Sequence, residues 1–211
     1  MIPAGSFPES VRVTISPFGD VTFSAPRGPF AASSIVNPIN RGVEITLDKN
    51  LQPSKPVRIQ LRYSDSDLAG ADAATLKIGR LDPASGLWVT LPTELDDNAQ
   101  VAVAYTTHFS KFQLLSVIPA TDVSGATAFP NPLRMHQGQT EMSFANLTEG
   151  AEVRVYTVLG ELVRTVNADS AGVARWDVKN FSGQTAASGI YLAAVRGADG
   201  SKKVIKVAVE K

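Results

Sequence analysis

Apolar and polar residues alternate with a period close to two along most of this chain, in short runs cut by Pro, Gly, Asn and Asp. Val11-Arg12-Val13-Thr14-Ile15, Val43-Glu44-Ile45-Thr46-Leu47, Val57-Arg58-Ile59-Gln60-Leu61 and Val153-Arg154-Val155-Tyr156 are the clearest cases. Successive side chains of a strand point to opposite faces, so the pattern predicts many short strands. With 13 Pro and 16 Gly set between such runs, long helices have little room. The predicted fold class is all-β, a pair of antiparallel β-sandwich domains in tandem. One stretch departs from the alternation: residues 67–75, rich in Ala, are expected to form one or two helical turns before Leu76-Lys77-Ile78 resumes as a strand.

Alternation stops after Leu114-Leu115-Ser116-Val117-Ile118, where small polar residues gather. This places a first domain over residues 1–118, a linker over 119–126 and a second domain over 127–211. Within the first, Asp82-Pro83 followed by Gly86 predicts a hairpin that delivers Trp88 to the next strand. A second hairpin is expected at Leu95-Asp96-Asp97-Asn98-Ala99-Gln100, with Asp and Asn taking the positive φ angles.

Composition narrows the function classes. The 211 residues carry no net charge and are 44% apolar, which suits chains that bury a core. The balance holds locally, with 10 basic and 11 acidic side chains over residues 1–118 and 10 and 9 over 119–211. No basic half stands out, which argues against a nucleic-acid partner. Cysteine is absent, so there is neither a disulfide framework nor a thiolate metal site, and nothing calls for a cofactor. No apolar run reaches the roughly 18–20 residues that span a bilayer as a helix. Met1-Ile2-Pro3-Ala4-Gly5 lacks the basic and apolar regions of a signal peptide, so the chain reads as the tail of a larger polypeptide.

The most informative run lies in residues 127–211. Phe129-Pro130-Asn131-Pro132 is followed by Val153-Arg154-Val155-Tyr156, Leu159-Gly160-Glu161-Leu162-Val163-Arg164, Trp176-Asp177, Ser188-Gly189-Ile190-Tyr191-Leu192 and finally Lys202-Lys203-Val204-Ile205-Lys206. That order resembles the C-terminal sorting domain of type IX secretion cargo, a small immunoglobulin-like sandwich similar to the one in flagellar hook-capping proteins. The resemblance implies a secreted or bacterial cell-surface protein. Its implied partners are the outer-membrane translocon, which recognises the domain, and in many cargoes surface lipopolysaccharide, to which the mature protein is attached. It points to Pro130, Pro132, Gly160, Gly189, Tyr191, Lys202, Lys203 and Lys206 as the sorting-signal residues. Two departures from the family pattern weaken any specific charge contact at the Gly160 turn: Thr157 and Glu161 stand where the family has Asp and Arg. Val178 also follows Trp176-Asp177 where the family has Gly.

On the residues alone the same motifs have structural duties. Pro130 and Pro132 keep the entering chain extended. Gly160 supplies a hairpin turn, and Trp176 anchors the core. Asp177 is expected to accept backbone hydrogen bonds from residues 180–184. The terminal segment alternates Val204, Lys206 and Ala208 against Ile205, Val207 and Val209, as suits a final strand at least partly covered on both faces. A lysine-bearing edge strand also blocks aggregation without any partner.

The first domain has a resemblance of its own. Ile2-Pro3-Ala4-Gly5-Ser6-Phe7-Pro8, the strand at residues 41–47, Leu51-Gln52-Pro53-Ser54-Lys55-Pro56-Val57, Trp88-Val89-Thr90-Leu91-Pro92 and Thr106-Thr107-His108-Phe109-Ser110 resemble the ZU domain, the sandwich of zonula-occludens proteins and netrin receptors. Some ZU domains cut themselves at His-Phe-Ser. In this chain the Ser110 hydroxyl would attack the Phe109 carbonyl with His108 as base, giving an ester that water then hydrolyses. The reaction needs a strained peptide. The competing reading is a last strand with Phe109 packed and His108 half exposed, and it makes the chain no enzyme. Asp65, Asp67 and Asp72 lack the spacing of a calcium loop, so no metal is expected. His136 reads as a surface loop. Asn146-Leu147-Thr148 matches a eukaryotic glycosylation pattern that a bacterial source leaves idle. A purely structural pair of sandwiches, as in a stalk or scaffold, is the remaining alternative.

Overall fold

The computed structural model of the chain describes residues 1–18, 35–83 and 87–211. These divide into two units, with the changeover between Val117 and Ile118. The fold is all-β, as the alternation predicts.

The first unit holds β1 (Val13–Phe18), β2 (Ile35–Leu47), β3 (Val57–Arg62), β4 (Leu76–Asp82), β5 (Leu87–Thr90), β6 (Thr93–Asp96), β7 (Val101–Thr106) and β8 (Lys111–Ile118). Among the described residues one sheet runs β1-β2-β8-β4-β5 and another β3-β7-β6. The period of two puts Val57, Ile59 and Leu61 of β3 and Ala104 of β7 into one cluster with Leu76 and Ile78 of β4 and Phe112 and Leu114 of β8, so the core lies between the sheets.

The Ala-rich stretch breaks into two short pieces. Helix α1 (Asp65–Leu68) starts where the Ser64 amide and hydroxyl both donate to the Asp67 carboxylate, at 2.8 and 2.7 Å. It stops at Ala69 and Gly70, whose φ angles are 50° and 89°. A separate 3-10 turn, Ala73–Thr75, is capped by the Asp72 carboxylate, which accepts from the Ala74 amide at 2.9 Å. In the hairpin joining β4 and β5, Leu81 pairs with Trp88, while turn residues 84–86 lie outside the described residues. In the hairpin of β6 and β7 the positive φ falls on Gln100 instead of on Asp or Asn. The Asp96 carboxylate holds that turn by accepting from the Ala99 amide.

The second unit holds β9 (Thr127–Phe129), β10 (Leu133–Arg134), β11 (Met142–Ala145), β12 (Glu152–Thr157), β13 (Leu162–Asn167), β14 (Ala174–Trp176), β15 (Gly189–Arg196) and β16 (Lys202–Glu210). Its sheets run β10-β16-β15-β12-β13 and β14-β11-β9. Between them Trp176 is fully buried, edge-on to Tyr191 at 5.5 Å, with its indole nitrogen donating to the Lys179 carbonyl at 2.9 Å. Phe144, Val153, Val155, Ala193, Val207 and Val209 complete the packing from the two sheets. Gly160, at φ 86°, closes the β12–β13 hairpin as predicted.

The last strand is placed differently from expectation. It pairs with β15 over its length and, at its far end, in parallel with β10, so β16 is not an edge strand. The entering segment, with cis peptides at Phe129–Pro130 and Asn131–Pro132, is tied to it through Asn131. The Asn131 side-chain amide donates to the Lys206 carbonyl and its oxygen accepts from the Ala208 amide, both at 3.0 Å. Nor are both faces of β16 covered along its length: Val207 and Val209 are buried, whereas Val204 on the other face is 64% exposed.

Two glycines separate the effects of backbone conformation and close approach. Gly172 (φ 68°) and Gly150 (φ 70°) share the left-handed region, but a Cβ on Gly172 would sit 2.1 Å from the Leu147 carbonyl oxygen while one on Gly150 meets nothing within 4 Å. Gly150→Ala should cost about 1 kcal/mol through conformation alone. Gly172→Ala should cost at least about 2 kcal/mol more, because the Leu147 backbone has to move. Urea denaturation of the two variants measures the difference, and equal losses would refute the close approach.

Candidate functional site

In the first unit the residues of chemical interest gather at one cleft. His108, Phe109 and Ser110 lie in the connection between β7 and β8, outside either strand, because the Thr106 hydroxyl caps the end of β7 by accepting from the His108 amide at 3.0 Å. They line an open cleft of about 510 Å³ together with Gln52, Lys49 and Lys111. Phe109 is buried, its ring 6.3 Å from that of Phe7. Its peptide is clasped by Gln52: the Phe109 amide donates to the side-chain oxygen at 2.6 Å and the side-chain amide donates to the Phe109 carbonyl at 3.4 Å.

The Ser110 hydroxyl donates to the Leu81 carbonyl at 2.7 Å, so its proton is engaged by a backbone acceptor. Burial lowers the imidazole pKa below its ordinary 6.5, and the charge of Arg80 lowers it further while Asp82 opposes. A neutral imidazole suits a general base, and the Gln52 amide stands where an oxyanion donor would. Attack would require the hydroxyl to leave Leu81 first. Gln52 carries no sequence signal of this duty beyond its place in the Leu51-Gln52-Pro53 run.

In the second unit the predicted signal residues separate by face. Tyr191 is buried, its hydroxyl donating to the Ala187 carbonyl at 2.8 Å. Pro130 and Pro132 are half-buried, and Gly160 and Gly189 sit in turns or at a strand start. Lys203 points to the inner side and donates to the Ser124 carbonyl. Lys202 and Lys206 stand exposed on the outer face of β16. The loop after Trp176 is organised by Asn180, whose oxygen accepts from the Ser182 and Gln184 amides. Asp177 accepts from the Lys179 amide instead, a correction that follows from the tighter reach of an Asx turn two residues on.

No family model matches the chain, and no curated protein matches it. Among solved structures it is similar to PorZ, described as an essential bacterial surface component of the type IX secretion system of Porphyromonas gingivalis. The identity is 22% over 57% of this chain and 16% of that one, with a TM-score of 0.39. It is also similar to dimeric latent PorU from Porphyromonas gingivalis, at 15% identity over 84% of this chain and 20% of that one, TM-score 0.28. A third likeness is to an endonuclease/exonuclease/phosphatase from Beutenbergia cavernae, at 14% identity over 85% and 73%, TM-score 0.26. The chain spans a small part of the length of PorZ and PorU.

The other candidates are engaged in structure. Asp65 accepts from the Gln100 side chain at 2.8 Å, and Asp67 pairs with Arg41 at 2.9 Å, while Asp72 caps the 3-10 turn. Among the described residues no group of His, Cys, Asp or Glu is arranged to hold a metal ion. His136 is exposed in a 3-10 turn, Met135–Gln137. Asn146 is buried, with its amide donating to the Gly125 carbonyl at 3.3 Å, so the glycosylation pattern is inaccessible.

The His108 environment has a pH signature. Its folded pKa lies below the unfolded value, so the unfolded chain binds the proton more readily, and stability is lost as pH falls through and below about 6.5. His108→Gln should flatten the stability curve between about pH 7 and 5 relative to the parent, read as urea midpoints across that window. Parallel curves for the two proteins would show that the imidazole is not desolvated.

Proposed function

We propose that this chain is the C-terminal region of a secreted bacterial surface protein, in which the second unit acts as a type IX sorting and surface-attachment signal and the first is a structural sandwich. One observation carries the reading. The first and last motifs of the resemblance, 129–132 and 202–206, are joined by the Asn131 amide, which bonds both the Lys206 carbonyl and the Ala208 amide. The motif run therefore belongs to one closed folded unit whose final strand presents Lys202 and Lys206 on an open face. A receptor meeting this terminus meets a preformed surface, with little ordering entropy to lose. The translocon is the partner this reading names, with lipopolysaccharide as the later attachment point.

The test is export of a periplasmic reporter fused ahead of the whole chain, in a bacterium with a type IX system and in an isogenic strain without it. Reporter at the surface or in the medium of the first strain, and periplasmic in the second, is expected. Periplasmic reporter in both strains would leave a structural pair of sandwiches.

A further inference from the structure

The outer face of the β13–β12–β15–β16 sheet carries exposed apolar residues with cations among and beyond them. Strand alternation sends Tyr191, Ala193, Val195, Val207 and Val209 to the core, so Ile190, Leu192, Ala194 and Arg196 of β15 and Lys202, Val204 and Lys206 of β16 face outward. Register lays them in rows. Leu162, Tyr156, Leu192 and Lys206 are successive neighbours across the four strands; Thr165, Arg154, Ala194 and Val204 form the next row; Asn167, Glu152, Arg196 and Lys202 form the third. Leu162, Ile190, Leu192 and Val204 are 44, 42, 36 and 64% exposed. At the hairpin end of the same sheet Val158 and Leu159 are 65 and 86% exposed. A stripe of this kind on one face is unlike the scattered single apolar residues of an ordinary surface.

The charges on this face do not cancel. Glu152 is held by Arg154 at 2.9 Å and Glu210 by Arg134 at 3.0 Å, and Glu161 sits apart in the hairpin turn. Arg196, Lys202 and Lys206 form no ion pair among the described residues. Arg196 has Glu152 as its neighbour on β12, but on the other side it is the direct cross-strand partner of Lys202, a like-charged pairing that destabilises a sheet. Folding alone gains nothing from it. A surface that sets carboxylates against these cations and an apolar ridge against Leu192 and Val204 would gain from both.

We propose that this face docks a protein presenting an apolar ridge bordered by carboxylates. The inference rests on the sorting reading and deepens it, by naming the surface and the partner's chemistry. A second copy of the chain is a poor occupant, because a face-to-face pair repeats the same patch and brings cations to cations. An anionic lipid surface fits the cations but meets a flat sheet face whose basic row also holds Glu152.

The experiment uses the full chain behind the reporter, in the type IX host, with four variants. Val204→Asp and Leu192→Asp break the ridge. Lys202→Glu turns the like-charged pair with Arg196 into an opposite one, so it should raise the thermal midpoint while lowering export. Ile15→Asp, at a position 64% exposed on β1 of the first unit, is the matched control. Export of the first three falling about tenfold or more, with the control unchanged, supports the proposal. The gain in stability of Lys202→Glu excludes misfolding as the cause.

Parent and face variants exported alike would overturn the docking face and leave the sorting reading standing. A parent retained in the periplasm would overturn the sorting reading, and the docking proposal with it. The purified parent is also examined by sedimentation equilibrium and by co-sedimentation with phosphatidylglycerol vesicles. A dimer, or vesicle binding, that Val204→Asp abolishes would overturn the chosen partner in favour of a second copy or a lipid surface.

Discussion

The strand Lys202–Glu210 is held on both sides, by β15 along its length and by residues 131–134 at its far end, and the second unit depends on that double hold. Val207 and Val209 close the core against Trp176 and Phe144, so the last residues of the chain bury apolar surface that nothing nearer in sequence supplies. Burial on that scale, about 1.5–3 kcal/mol for each fully covered side chain, means that the terminus and the sandwich form together. The opposite face of the same strand is thereby fixed in space. Lys202, Val204 and Lys206 are presented on a rigid sheet, where a flexible tail would have to be ordered by its receptor.

The first unit uses the same rule with a different consequence. Its strands bury one face into the cluster around Phe112 and Leu114, and the connection between β7 and β8 is drawn inward by the Phe109 ring and by the Gln52 clasp on its peptide. His108 is carried along into partial burial, which lowers its affinity for a proton. The Ser110 hydroxyl, bonded to Leu81, ties that connection to the end of β4. These contacts join the loop after β2, the end of β4 and the β7–β8 connection at one edge of the cleft.

Much of this was legible in the chain. Alternation in Val57-Arg58-Ile59-Gln60-Leu61 and Val153-Arg154-Val155-Tyr156 marks strands because a half-buried strand demands it, and Gly160 between two such runs marks a turn. The parity of Lys202 and Lys206 against Lys203 was also present in the pattern. What the residues withhold is who pairs with whom. Nothing local to Lys202-Lys203-Val204 says that β10 lies beside it, or that Arg196 stands opposite Lys202, because both depend on register between distant segments. Asn131 and Gln52 escape notice for the same reason, since their bonds reach 77 and 57 residues along the chain. The positive φ at Gln100 and the break of the Ala-rich stretch at Ala69 reflect local competition that propensity only biases.

Amide hydrogen exchange across residues 203–209, followed by mass spectrometry on the full chain, tests most directly whether the terminus is part of the fold. Protection matching that of β12 and β15 is predicted, because all three strands share one ladder and one core and open only with the whole unit. Exchange of the last segment at the rate of an unstructured tail, with β12 still protected, would contradict the account.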